Sequence, residues 1–379
     1  VRITIDLSAA ARRHAGLGRY AQELTAALLA LPSGDAYYAL VHSVGPAERL
    51  PPPLDTLPMR RIPLDAKPWR LGVLLASFAR LPLDHVVGPC DLFHATEHLL
   101  PPLHRARSVL TVHDLIFRFF PEHHLPLNRW YLTLMMPRFL RAADAIIAVS
   151  EQTRRDLSAL YGVAPERVWV IPEGVNPRFR PPDHPAAVTA LRERLGLPER
   201  FILYLGTIEP RKNLLTLLEA YRALVAAGET ADLVIAGRRG WLFAPVFARV
   251  RELGLEQRVH FTGWIAEEDL PLLLAAARVF AFPSEYEGFG LPPLEAMAVG
   301  TPVVAANAAA LPEVVGDAGL LVPPRDVAAL VAALQRVLSD AELARTLRAR
   351  GLARARRFSW EKAALETLAV YRAVVGGCR

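Results

Sequence analysis

Short runs of consecutive apolar residues alternate with stretches of helical periodicity along nearly the whole chain. The runs fall at 2–7, 38–42, 92–94, 109–113, 145–149 and 168–171, and again at 202–205, 233–236, 259–262, 279–282, 303–305 and 320–322. Several, such as Ala145-Ile146-Ile147-Ala148-Val149, are apolar at every position, the pattern of a strand buried on both faces. Segments with helical spacing separate them, among them 19–31 and 151–161, the second opened by Ser150 as a good N-cap. Strand alternating with helix predicts doubly wound parallel sheets. Ligands of such sheets bind beyond the carboxyl ends of the strands, so the residues just after each apolar run are the ones to read for chemistry.

The rhythm breaks once, at 177–185, where proline and arginine crowd together as in a linker. This divides the chain into an N-terminal domain, 1–176, and a C-terminal domain, 177–359, with a further helical segment over 360–379. The length of 379 residues and a hydrophobic content of 52% suffice for two cores. Cys90 and Cys378 are the only cysteines, too few for a disulfide framework or a cysteine-built zinc site. The chain opens on a strand-like run, so no signal peptide is expected, and no uninterrupted apolar run reaches the ~18–20 residues of a spanning helix. A soluble cytoplasmic protein is expected. The net charge of +6 suits an anionic partner. Nucleic acid is set aside for want of any recognition motif, which leaves anionic diphosphates or an anionic membrane face.

The most informative stretch is 282–304, FPSEYEGFGLPPLEAMAVGTPVV. It leaves the strand 279–282, passes through Glu287-Gly288-Phe289-Gly290-Leu291, enters a helix at Pro292-Pro293 and stops at Gly300, with proline and glycine at the expected ends. Glu287 precedes the helix and Glu295 is expected in its first turn. Free N–H groups and the positive end of the helix dipole lie between them, a ready anion site. A lone first-turn glutamate can also simply complement the dipole, by ~0.3–1 kcal/mol. After the strand 202–205 comes Gly206-Thr207-Ile208-Glu209-Pro210-Arg211-Lys212-Asn213, in which Arg211 and Lys212 are expected to open a helix. Cations there are unfavourable by up to ~1 kcal/mol, which speaks for an anionic partner. Lys212 is also one of only three lysines. Gly237-Arg238 and Gly263-Trp264 follow two further strands, as any tight turn would also explain.

In the first half, Gly16-Leu17-Gly18-Arg19-Tyr20 reads either as a tight strand-to-helix turn or as a glycine loop against ligand oxygens. The third glycine of a dinucleotide fingerprint is missing. His94 and His98, with Glu97 between them, could suggest a metal, but no third placed ligand is evident, and lining of an acceptor site is preferred. His123-His124 is read the same way. His113 and Asp114 end the strand 109–113 and are delivered to the edge where ligands bind.

Taken together these strings resemble a known family. E-G-F-G-L-P-x-L-E-A-M-A-x-G-x-P-V-V resembles the donor-binding signature of retaining GT-B glycosyltransferases of family 4, and G-x-x-x-P-x-K-N resembles that family's diphosphate clamp. G-x-G-R-Y-x-x-x-L and T-V-H-D-L-I-F-x-x-F-P resemble its amino-terminal loop and a strand end near the sugar, so that the resemblance runs along the whole chain. It implies a GT-B fold of two Rossmann-like domains facing a cleft, with the last helix, 360–379, crossing back to the first. By resemblance, Gly16, Gly18, Gly206, Arg211, Lys212, Gly237, Arg238, Gly263, Glu287, Gly288, Phe289, Gly290, Leu291 and Glu295 bind a nucleotide-sugar donor, with Glu295 on the ribose. Arg19, His94, His113 and Asp114 lie on the acceptor side, and His113, Glu287, Arg211 and Lys212 carry catalysis.

The function so implied is that of a hexosyltransferase acting with retention at the anomeric carbon. GDP-mannose leads as donor, with UDP-glucose or another UDP-sugar behind it, and the acceptor is a glycan, a lipid-linked or a small molecule. A sugar phosphorylase, an epimerase or a non-catalytic nucleotide-sugar-binding scaffold are the other classes. No Asp-x-Asp pair occurs in the chain, so neither a metal nor another cofactor is expected. Two segments, 71–83 and 129–141, are apolar and basic at once. Core packing explains them, and so does peripheral contact with the inner face of the plasma membrane.

Overall fold

The computed structural model describes residues 1–12, 15–43, 50–123 and 125–377. His124 and Cys378, singled out above, lie outside these residues. The chain forms two compact units. Residues 1–174 and the chain from Ser359 onward make the first, and Val175–Phe358 the second.

The first unit is built on strands β1 (Arg2–Asp6), β2 (Ala36–His42), β3 (Met59–Ile62), β4 (Leu92–Ala95), β5 (Arg107–Val112), β6 (Ala145–Ala148) and β7 (Val168–Val170). They form one parallel sheet in the order β3-β2-β1-β4-β5-β6-β7. The inner strands β4 and β6 are buried at every position, as their uninterrupted apolar runs require. One face packs Phe93, Leu110 and Ile146 against Met135, Met136 and Phe139 of the helix Pro126–Ala142. Pro137 sits inside that helix without ending it. The helix Trp360–Gly376, capped by Ser359, also belongs to this unit. Tyr371 of this helix is hydrogen-bonded to His94 at 2.7 Å. Gly174 abuts its first residue so closely that a Cβ would lie 2.2 Å from Trp360 N. That approach keeps residue 174 in the first unit, slightly before the boundary at 176 that the linker composition suggests.

The second unit holds β8 (Phe201–Leu205), β9 (Asp232–Ala236), β10 (Val259–Gly263), β11 (Val279–Phe282), β12 (Val303–Ala306) and β13 (Leu320–Val322). These are also all parallel, in the order β10-β9-β8-β11-β12-β13. The order reverses direction between β8 and β11, as it does between β1 and β4 in the first unit. Such switch points open a crevice beyond the strand ends. The loops after β8 and β9 touch through glycine, because a Cβ on Gly237 would lie 2.0 Å from Gly206 O, and Gly237 holds φ +142°.

Candidate active site

At the switch point of the second unit, the loop after β8 and the loop after β11 interlock. The β8 loop forms a short 3-10 turn, Pro210–Lys212. Asn213 then takes a left-handed conformation, and the helix proper runs Leu214–Ala226. Arg211 and Lys212 therefore precede the helix rather than opening it, a correction to the expectation from sequence. Asn213 donates to Pro283 O at 3.2 Å and Glu285 N–H to Arg211 O at 3.0 Å, pinning one loop to the other.

Glu287 is the centre of this junction. Its carboxylate accepts from Arg211 Nη1 and Lys212 Nζ, both at 2.6 Å, and from Ser284 Oγ at 2.5 Å. Arg211 Nη1 also donates to Tyr286 O at 2.8 Å, and its Nη2 donates to Glu209 Oε1 at 2.5 Å. Two carboxylates thus face two cations. Burial alone would raise the Glu287 carboxyl, but Arg211, Lys212 and Ser284 outweigh it and hold it down at about 2. Burial and the neighbouring Arg211 pull the Lys212 ammonium below its ordinary value against the same pair. Three donors within 2.6 Å of one carboxylate make the charged form of the pair the governing one. Charge gathered at a strand-switch crevice, with two cations on one carboxylate, is an arrangement that can pass from an internal carboxylate to a bound diphosphate.

The helix after β11 is Leu291–Ala298, with Gly290 at its N-cap at φ +124°. Glu295 is its fifth residue, in the second turn and not the first, and is buried. Phe289 and Leu291 are buried as well. Gly237 and Gly206 are joined to their neighbours through main chain: Gly206 N–H donates to Ala236 O and Gly237 N–H to Gly263 O. Arg238 lies over the exposed Trp264 ring, 5.5 Å from its centroid. The candidate donor residues after β8, β9, β10 and β11 are therefore all at the same edge of one sheet.

In the first unit, His113 follows β5. Its Nε2 lies 2.9 Å from Thr96 O and its Nδ1 3.4 Å from Glu173 Oε1. Its N–H donates to His98 Nε2 at 3.1 Å, its C=O accepts from Thr153 Oγ1 at 3.0 Å, and Tyr20 meets the ring edge-on at 4.6 Å. Burial lowers the imidazole, but Glu173 and the Thr96 carbonyl more than reverse it and raise it above its ordinary value. Both ring nitrogens face acceptors, an arrangement that favours the doubly protonated ring. Burial drives the neighbouring His98 to about 4. Asp114 turns back to accept from Ile116 N–H at 3.2 Å.

His94 does not line an acceptor site. It is fully buried in β4, with Nδ1 on Tyr371 and Nε2 on Thr111 Oγ1 at 2.8 Å, and burial pushes it down to about 3. Gly16 breaks the start of the segment Ala15–Ala30 with a non-helical backbone (φ 20°, ψ −72°), and Gly18 lies in the helix that follows the kink. Gly18 is required by packing, since a Cβ would meet Ala9 O at 2.6 Å. Arg19, on the same helix, is half-buried.

Four residues at these sites carry no role in the sequence reading. Glu173 and Glu209 stand in strings whose neighbours draw the attention. Ser284 shows no signal beyond its place in the loop. His42 is the fourth: it converges with Asp6 and Glu97, their ligand atoms within 4.8 Å of one another. The Arg12 guanidinium, 2.6 Å from His42 Nδ1, makes that nitrogen an acceptor and already supplies positive charge.

Comparison with known proteins agrees with this picture. The family model described as Glycosyltransferase Family 4 matches residues 14–179, and that described as Glycosyl transferases group 1 matches residues 189–354. O-antigen chain mannosyltransferase B of Escherichia coli is 33% identical over 374 residues, 94% of this chain and 96% of that one. The MMP alpha-(1->4)-mannosyltransferase of Mycolicibacterium hassiacum is 36% identical over 65% of this chain and 59% of that one. Among solved structures, the sucrose-phosphate synthase of Thermosynechococcus elongatus superimposes with a TM-score of 0.78 at 27% identity, covering 99% of each chain. WaaG, a glycosyltransferase of lipopolysaccharide biosynthesis, shares the fold at a TM-score of 0.74. With both family models matched in order and a full-length relative at this identity, the chain belongs to the family 4, group 1 glycosyltransferases of GT-B fold.

Proposed function

We propose that this glycosyltransferase moves mannose from GDP-mannose to a glycan or lipid-linked acceptor, with retention at the anomeric carbon and without a metal or other cofactor. The observation that carries the reading is the Arg211–Lys212–Glu287 junction at the strand switch of the second unit. In this reading the donor diphosphate takes over the cations that Glu287 holds, freeing the Glu287 carboxylate for sugar hydroxyls. Arg211 and Lys212 then stabilise the negative charge that grows on the departing nucleoside diphosphate. One lost donor of this kind typically costs ~2.7–4 kcal/mol of transition-state stabilisation. Glu295 serves the ribose, and the loops bearing Arg238 and Gly263 the base. His113, held as a cation by Glu173 and Thr96, orients the acceptor side and contributes charge rather than proton abstraction.

Mannose is favoured because relatives matching most of this chain are named mannosyltransferases. A UDP-sugar is the second reading. The enzyme works in the cytoplasm, in peripheral contact with the inner face of the plasma membrane. The test is release of nucleoside diphosphate from GDP-mannose and UDP-glucose in the presence of mannoside acceptors, with product linkage read by NMR. Turnover of GDP-mannose into an α-mannoside supports the proposal. Turnover confined to UDP-glucose replaces the donor, and an inverted product refutes retention.

A further inference from the structure

Exposed large apolar residues occur singly on most protein surfaces and need no explanation, but in the first unit they gather. The helix Ala66–Ala79 buries Trp69, Val73 and Ala76. Its other side turns Leu71, Leu75 and Phe78 outward at 56, 58 and 51% exposure, and Leu81 just beyond its end is exposed as well. Spacings of four and three put the first three residues on one stripe. A helix that is apolar on its solvent side as well as its core side is not accounted for by the folding of the unit.

The stripe has a neighbour. Arg70 Nη1 donates to Asn128 Oδ1 at 2.7 Å, and the Arg138 guanidinium lies over the Phe78 ring at 4.0 Å, so the helix Pro126–Ala142 runs alongside. At its start Leu125, Leu127 and Trp130 are exposed too. Charge on these two segments is of one sign. Residues 66–82 and 125–143 contain Lys67, Arg70, Arg80, Arg129, Arg138 and Arg141 and no aspartate or glutamate. A second copy of the chain would set these cations against their own kind. A surface that is hydrocarbon within and anionic at its face meets both features at once.

We propose that the outward face of Ala66–Ala79, with Leu125, Leu127 and Trp130, docks this protein on an anionic lipid bilayer. The docking is interfacial, since among the described residues no helix is long and apolar enough to cross a membrane. It deepens the peripheral location proposed above, yet its test needs neither donor nor acceptor and so stands or falls apart from the transferase reading.

The test is sedimentation of the full chain with vesicles of phosphatidylcholine containing phosphatidylglycerol, against vesicles of phosphatidylcholine alone. Wild type and the variants Leu71→Ser/Leu75→Ser/Phe78→Ser and Leu75→Glu are compared, with folding checked by circular dichroism. The expected result is at least tenfold stronger partition onto the anionic vesicles, weakened by salt, and a tenfold or greater loss in both variants. Absence of binding to anionic vesicles overturns the proposal, as does equal binding by the variants. A concentration-dependent dimer of wild type, dispersed by the triple substitution, overturns it in favour of a self-interface.

Discussion

Replacing Glu287 with glutamine removes one negative charge and leaves Arg211 and Lys212 buried opposite Glu209 alone. The size of the effect follows from the carboxyl itself. A group held from an ordinary 4.5 down to about 2 in the folded state corresponds to ~3 kcal/mol of stability at ~1.36 kcal/mol per unit. For a unit of the size of Val175–Phe358, each kcal/mol moves the midpoint by ~2–4 °C, so Glu287→Gln lowers Tm at neutral pH by roughly 6–12 °C. The pH dependence has a definite sign. A depressed carboxyl contributes its stability above the unfolded value and loses it as pH falls toward the folded one. The gap between wild type and variant therefore closes from pH ~4.5 down toward ~2. Differential scanning calorimetry across that range is the assay. A fall of less than ~2 °C at pH 7, or a gap that persists unchanged in acid, would refute the reasoning that Glu287 is held charged by its two cations.

Lys212→Ala should reduce transfer by ~10²-fold or more while far-ultraviolet circular dichroism stays unchanged; full activity would dismiss the clamp. Glu173→Gln should convert His113 to neutral imidazole at neutral pH, seen as loss of one protonated ring nitrogen in ¹⁵N spectra of histidine-labelled protein. Since the folded His113 value is raised, its contribution is present below ~6.5 and lost as pH rises through the folded value, and this loss should vanish in the variant. Gly237→Ala should destabilise the second unit by more than ~1 kcal/mol in urea melts, because the added Cβ strikes the Gly206 carbonyl. An unchanged midpoint would mean that the two loops separate freely.

Much of this architecture is legible from burial alone. Strands such as Ala145–Ala148 and Val279–Phe282 are covered on both faces, so their apolar runs stand out in the sequence. The edge strand Met59–Ile62 does not, because three of its four residues are exposed and two are arginine. Arg211, Lys212 and Glu287 are readable because each follows a strand within a dense motif. Glu209 and Glu173 are not, since their meaning lies in partners reached through space: the fork of Arg211 in one case, His113 across sixty residues in the other. His94 misleads for the same reason, as its two ring partners, Thr111 and Tyr371, neighbour it only in the folded sheet. The turn that holds Glu295 depends on whether the helix begins at Leu291 or at the prolines, which the glycine N-cap decides.

The most direct test of the central claim is isothermal titration of the intact protein with GDP and with UDP, repeated on Arg211→Ala/Lys212→Ala. The account predicts one site per chain for at least one of the two nucleotides, weakened ~100-fold or about 2.7 kcal/mol in the double variant. Undiminished binding by that variant, or no binding of either nucleotide by the wild type, would contradict it.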